Sequence, residues 1–189
     1  MPDASVISKI LFALWFFLPA GIANGTPVIV SKIPFLKKLE YPLDFGLKFR
    51  GERVLGSHKT IRGLIAGVSM AIVTAFLQKL AYDNSVFIRD FSAIDFNDIN
   101  ILLYAFLSGL GAIAGDSIKS FFKRRVNIKP GKAWIPFDQI DYIFGGILFV
   151  LPYIQLDIIY YVLIFILYLI IHPITTVIGY YIKLKDSPI

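Results

Sequence analysis

The chain reads as an all-α integral membrane protein with five transmembrane helices, its N-terminus outside and its C-terminus in the cytoplasm. Three observations predict this. The 189 residues are 57% hydrophobic with a mean hydropathy of +0.71, too apolar for a water-soluble domain. Five apolar runs each approach the ~20 residues that a helical span requires. Lysine and arginine collect in alternate loops, and that bias sets the direction of the spans. With no internal repeat and no low-complexity segment, residues 1–189 read as one membrane domain.

The first run, Ile10 to Val30, opens with the uninterrupted ILFALWFFL and continues as PAGIANGTPVIV. Pro19, Gly21, Gly25 and Pro27 crowd that second half, so a broken first helix is expected. Freed backbone groups cannot face lipid, so the break belongs against protein or a polar cavity. Asn24, among them, is either a helix-packing amide or a ligand contact. Residues 32–62 form a loop with eight Lys+Arg against three acids. Its end, Gly56 to Gly63, reads GSHKTIRG. Ser57 or Thr60 is placed to cap the second apolar run, Leu64 to Ala81. Lys59 and Arg62 bracket that helix's first turn, where its dipole favours an anion. An ordinary positive-inside loop accounts for the same charges.

Residues 82–100 reverse the sign, with four aspartates and only Arg89. Ile101 to Ala114 is the third run, and the polar stretch from Gly115 continues its helix. The fourth runs from Asp138 to about Ile154, with Gly145 and Gly146 allowing close helix contact. The fifth, Leu156 to Ile182, is interrupted at His172-Pro173, where His172 reads as a packing or hydrogen-bonding residue. Loops 32–62 and 119–132 and the tail with Lys183 and Lys185 are then cytoplasmic, and loop 82–100 lies outside. The expected location is a cell membrane, with the polar site on the cytoplasmic side.

Zero cysteines exclude disulfides, Cys-ligated zinc and thiol nucleophiles, and two distant histidines leave little for His-based chemistry. What remains is GDSIKSFFKRRVNIKPGKAWIPFDQID, residues 115–141, with six Lys+Arg and three acids between apolar segments. Asp116, Lys119 and Lys123 fall at i, i+3 and i+7, on one side of a helix. Asp138 and Asp141 are again three apart, opening the next run. Ionisable groups within spans are costly and point to function. Carboxylates suit a hard cation such as Mg²⁺, which shares its shell with phosphates, and lysine and arginine neutralise the phosphates. The pattern fits a metal–polyphosphate site at a membrane surface. An internal ion pair explains one aspartate more easily than three, and the basic run KRRVNIK also suits anionic lipid heads.

These residues resemble the CTP transferase signature of the CDP-diacylglycerol synthases, and most closely that of their archaeal relatives, the CDP-archaeol synthases. ANGTP (23–27) and the PLDFG…GSHKTIRG stretch (42–63) are similar to the archaeal branch. Bacterial enzymes usually carry Lys-Asp where this chain has Lys129-Pro130. They carry His-Gly-Gly before Asp-Arg-x-Asp, where this chain has Trp134 to Phe137 before Asp138-Gln139-Ile140-Asp141. These departures favour the ether-lipid branch and leave the role of Lys129 open, with those of Lys132 and His58. The resemblance implies that CTP and 2,3-bis-O-(geranylgeranyl)-sn-glycerol 1-phosphate give a CDP-activated lipid and diphosphate. It implies Mg²⁺ at Asp116, Asp138 and Asp141, with Lys119, Lys123 and Arg124 on the outer phosphates. Asn24, Lys59, Thr60 and Arg62 would line the other wall. The expected partners are CTP and an isoprenoid glycerol-phosphate ether lipid, with no nucleic acid. A CTP-dependent polyprenol or phytol kinase and a small cation channel or transporter are the competing readings.

Overall fold

A computed structural model describes residues 5–129 and 132–185. Pro130-Gly131 of the motif lies outside them. The helices are α1 (Val6–Ser31), α2 (Ile61–Asn84), α3 (Val86–Phe91), α4 (Ile101–Arg125), α5 (Phe137–Val150) and α6 (Ile158–Tyr181). A hairpin of two-residue strands, β1 (Lys48–Phe49) and β2 (Glu52–Arg53), is the departure from an all-α chain. One end of the bundle is basic and holds the hairpin. The other is acidic and holds α3.

The expected break in the first helix does not occur: α1 is continuous through Pro19 and Pro27. The reason is tertiary. Pro19 has no N–H for the carbonyl of Trp15, and Gln78 of α2 donates to that carbonyl instead. The neighbouring carbonyls of Phe16 and Leu14 receive the hydroxyls of Tyr104 on α4 and Tyr168 on α6. Three other helices thus satisfy the α1 backbone around its proline. Phe12, Phe16 and Phe17 are buried among them, and α1 forms the centre of the core.

Among the described residues four helices, α1, α2, α4 and α6, are long and apolar enough to cross a membrane. The fifth expected span is represented by α5, whose 14 residues extend only about 21 Å at ~1.5 Å per residue. Its two ends nevertheless lie at opposite ends of the bundle. Asp138 meets Lys119 and Lys123 at the basic end, while Tyr153 just beyond α5 accepts from the N–H of Asn100, the cap of α4.

The pair α4–α5 touches backbone to backbone. A Cβ on Gly145 would lie 2.2 Å from the carbonyl oxygen of Gly111, and one on Gly115 would lie 2.2 Å from that of Asp141. Small residues four apart permit this approach, as in other membrane helix pairs. It places Gly115, the neighbour of Asp116, directly against Asp141 of α5.

Candidate active site

Three carboxylates converge on one ammonium. Lys119 Nζ lies 3.0 Å from Asp116 Oδ1, 2.6 Å from Asp138 Oδ1 and 2.7 Å from Asp141 Oδ2. Lys59 pairs with Asp116 from the loop before α2, and Lys123 Nζ is 3.0 Å from both oxygens of Asp138. The backbone N–H of Trp134 also donates to Asp138. Three acids and three ammonium groups thus form one network, in which Asp116, Asp138, Asp141, Lys119 and Lys123 are joined by Lys59, a residue expected on the other wall.

The cluster is set deeper than a helix end. Asp116 precedes Arg125 by nine residues, about 14 Å along the axis at ~1.5 Å per residue. Asp141 Oδ2 is buried and lacks hydrogen-bond alignment with any partner, although Lys119 is within ion-pair distance. Among the described residues no three acids or histidines stand grouped as the ligands of an ion. The Lys119 ammonium lies between the three carboxylates instead.

The loop that delivers Lys59 is organised by Asp44, a residue the sequence reading did not single out. Its fully buried carboxylate pairs with Arg53 and accepts from the N–H groups of Gly46, Leu55 and Gly56 at 3.0–3.1 Å. Burial pushes its pKa up, but Arg53 and the three N–H groups outweigh it and hold the group at about 2. Backbone bonds from Leu43 to the Lys59 carbonyl and from Ile61 to that of Tyr41 close the loop at its base. The sequence signal was slight: an aspartate before Phe-Gly, with its partners ten residues on.

A second omission is Lys185. The chain reverses after α6 through Lys183 at φ 60°, with the N–H groups of Leu184 and Lys185 both bonding to the Gly179 carbonyl. Lys185 then donates to Thr176 at 2.9 Å. Burial pulls its pKa down, while Asp116 and Asp138 draw it up. His172, one turn from Thr176, lies with its ring 5.5 Å from that of Tyr142, the neighbour of Asp141.

Other expected residues take separate places. Thr60 caps α2 by accepting from the Gly63 N–H at 3.1 Å. Arg62 is buried and turns to Glu40 at 3.2 Å, so it does not join Lys59 around a shared position. Asn24 is one turn nearer the basic end on the α1 stripe by which Phe17 and Ala20 meet Gly146. Lys129, Lys132 and His58 are exposed, and Lys132 contributes its carbonyl to Lys123. Arg124 is the clear departure. Consecutive helical residues diverge by ~100°, so Arg124 leaves the side of α4 that carries Lys119 and Lys123 and faces the hairpin.

The bundle defines a class: a multi-pass helical membrane protein with a buried carboxylate–lysine network at one end. A family profile for CarS-like proteins, CDP-archaeol synthases, matches residues 6–189, and the chain belongs to that family. The CDP-archaeol synthase of Thermofilum pendens is 35% identical over 181 residues, covering 93% of this chain and 78% of that protein. That of Methanocaldococcus jannaschii is 33% identical over 184 residues, covering 94% and 97%. A solved structure of an intramembrane enzyme for archaeal membrane lipid biosynthesis superimposes with a TM-score of 0.71 at 29% identity. It covers 89% of this chain and 94% of its own.

Proposed function

We propose that this chain transfers the cytidylyl group of CTP to 2,3-bis-O-(geranylgeranyl)-sn-glycerol 1-phosphate at the carboxylate–lysine network. The family makes it a CTP-dependent nucleotidyltransferase of archaeal lipid biosynthesis. The observation that carries the assignment of the site is the convergence of Asp116, Asp138 and Asp141 on Lys119.

In the transfer, an oxygen of the lipid phosphate forms a bond to the α-phosphorus, and the bond from that phosphorus to the β-bridging oxygen breaks. Diphosphate leaves with the electron pair. The attacking phosphate is already anionic near neutrality, its second pKa being around 6, so no strong base is required. The chain's contribution is then positioning and charge neutralisation. The donor types suit a hard divalent cation, with Mg²⁺ as our choice, once Lys119 withdraws from between the carboxylates. The donors are all carboxylate oxygens, and Asp141 Oδ2 has an unused acceptor. Such an ion, held by the three aspartates, would supply charge stabilisation to the triphosphate. Lys59, Lys119 and Lys123 would exchange their carboxylate partners for phosphate oxygens. Asn24 would approach from α1, while Thr60, as the cap of α2, and Arg62, paired with Glu40, would support the loop that carries Lys59.

Five spans, with the basic end in the cytoplasm, give CTP access from water. The lipid phosphate then reaches the same depth with its chains still in the bilayer. Cysteine at exposed Asn97 should react with an impermeant thiol reagent applied outside, and cysteine at exposed Ser57 should not; reversed labelling would refute this orientation. The reaction is tested with CTP labelled in its cytosine base, Mg²⁺ and the ether-lipid phosphate. Label must appear in the lipid product; transfer of only the γ-phosphate to an alcohol would reassign the protein as a kinase.

A further inference from the structure

The charged end of α4 has a second side that the proposed transfer does not use. Phe121, Arg124 and Arg125 share it, roughly opposite Asp116, Lys119 and Lys123 at ~100° per residue. With Phe49, Arg50 and Glu52 of the hairpin and Asn127 they line an opening of about 490 Å³.

The two arginines there are treated differently. Arg125 has both terminal nitrogens engaged: they donate to the carbonyls of Phe49, Glu52 and Arg53 at 2.7–3.3 Å, and its guanidinium lies over the Phe49 and Phe121 rings, although its Nε has no partner. It holds the hairpin to the helix. Arg124 is only 7% exposed, its side chain makes no hydrogen bond to any described residue, and its Nε, like that of Arg125, is buried without a partner. It packs beneath Gly56, where a Cβ would sit 3.9 Å from its Cδ and Nε. A buried Nε without a partner carries a desolvation cost, and the terminal nitrogens of Arg124 are left for a ligand in the opening. Nearby charge deepens the cost: among the described residues lining the opening, Arg50, Arg124 and Arg125 are met by one acid, Glu52.

We infer that this opening is a second anion site, for a phosphate group bound by Arg124 and Arg50 and distinct from the carboxylate–lysine network. A planar guanidinium matches two phosphate oxygens, and the Phe49 and Phe121 rings offer apolar flanks for what the phosphate carries. The phosphate comes either from an anionic lipid headgroup in the leaflet or from a soluble ion.

The test uses the full chain purified in a maltoside detergent, free of other phosphate. It is titrated calorimetrically with inorganic phosphate and, separately, with a short-chain phosphatidylglycerol. Arg124→Gln should weaken binding of at least one probe by about tenfold, the value of one charge-assisted contact. Arg50→Gln should weaken it and Glu52→Gln strengthen it, each by about two- to threefold as expected for exposed charges. These two positions are exposed, so their variants test the site even if Arg124→Gln does not fold. Lys123→Gln should leave this binding in place. Phosphatidylglycerol alone responding assigns the site to a lipid headgroup, and response of both assigns it to phosphate itself. Absence of saturable binding of either probe, or affinities unmoved by Arg50→Gln and Glu52→Gln, would overturn it. Neither result bears on cytidylyl transfer.

Discussion

The two halves of α4 are built on opposite rules. From Ile101 to Gly115 the helix associates through what it lacks: Gly109 and Gly111 have no side chain, and α2 and α5 fill the space. From Asp116 to Arg125 it associates through charge, with Asp116, Lys119 and Lys123 on one side and Arg125 bonded to the hairpin on the other. In a bilayer the first rule gives close packing where water cannot provide a hydrophobic drive. The second is possible only near an end that substrate and water reach. The glycine half fixes the distance at which the charged half meets α5, so packing in one determines chemistry in the other.

The largest effect should come from breaking the charged half. Asp116→Asn, Asp138→Asn and Asp141→Asn should each lower turnover by about 10²–10³-fold, the scale of losing one preorganised electrostatic contact. Size-exclusion profiles in detergent should be unchanged. An aspartate whose amide variant keeps near-normal turnover across Mg²⁺ concentrations does not belong to the ligand set.

Breaking the glycine half should act on stability first. Gly145→Leu places its Cβ against the Gly111 carbonyl and should destabilise the bundle by about 3 kcal/mol or more, since overpacking against backbone has no relief. Thermal unfolding in detergent measures it. Unchanged unfolding would mean that α4 and α5 do not touch there.

A smaller effect sharpens the comparison by asking how backbone polarity is managed away from both halves. Gln78→Leu leaves the Trp15 carbonyl unpaired and should cost about 1 kcal/mol. Pro19→Ala restores an N–H for that carbonyl, so Gln78→Leu should cost less in the Pro19→Ala background. Equal costs in the two backgrounds would separate Gln78 from the proline.

The smallest expected effect lies in the loop that holds Lys59 against the charged half. The Asp44 carboxyl is depressed from 3.8 to about 2, so its contribution is present above pH 4 and is lost as pH falls through about 2. Hydrogen exchange of residues 44–60 should rise over that window in the parent chain. Asp44→Asn should be faster already at neutral pH and should show no such step.

Much of this was legible in the sequence for a physical reason. Bilayer thickness imposes long apolar runs, and charge bias marks their flanks, so α1, α2, α4 and α6 could be read directly. Helical spacing placed Asp116, Lys119 and Lys123 on one side, and short sequence separation joined Asp138 to Asp141. The continuity of α1 was not legible, because proline's freed carbonyl is satisfied by Gln78, with Tyr104 and Tyr168 on its neighbours, 63 to 154 residues away. Nor was the role of Asp44, whose donors are backbone groups that any sequence possesses. The parting of Lys123 from Arg124 needed the hairpin's position as well as the helix's period. Local period and solvent act on each residue by its type, and the sequence alone determines those. Which polar group meets which across the bundle depends on chain closure over long separations, and only the tertiary structure decides it.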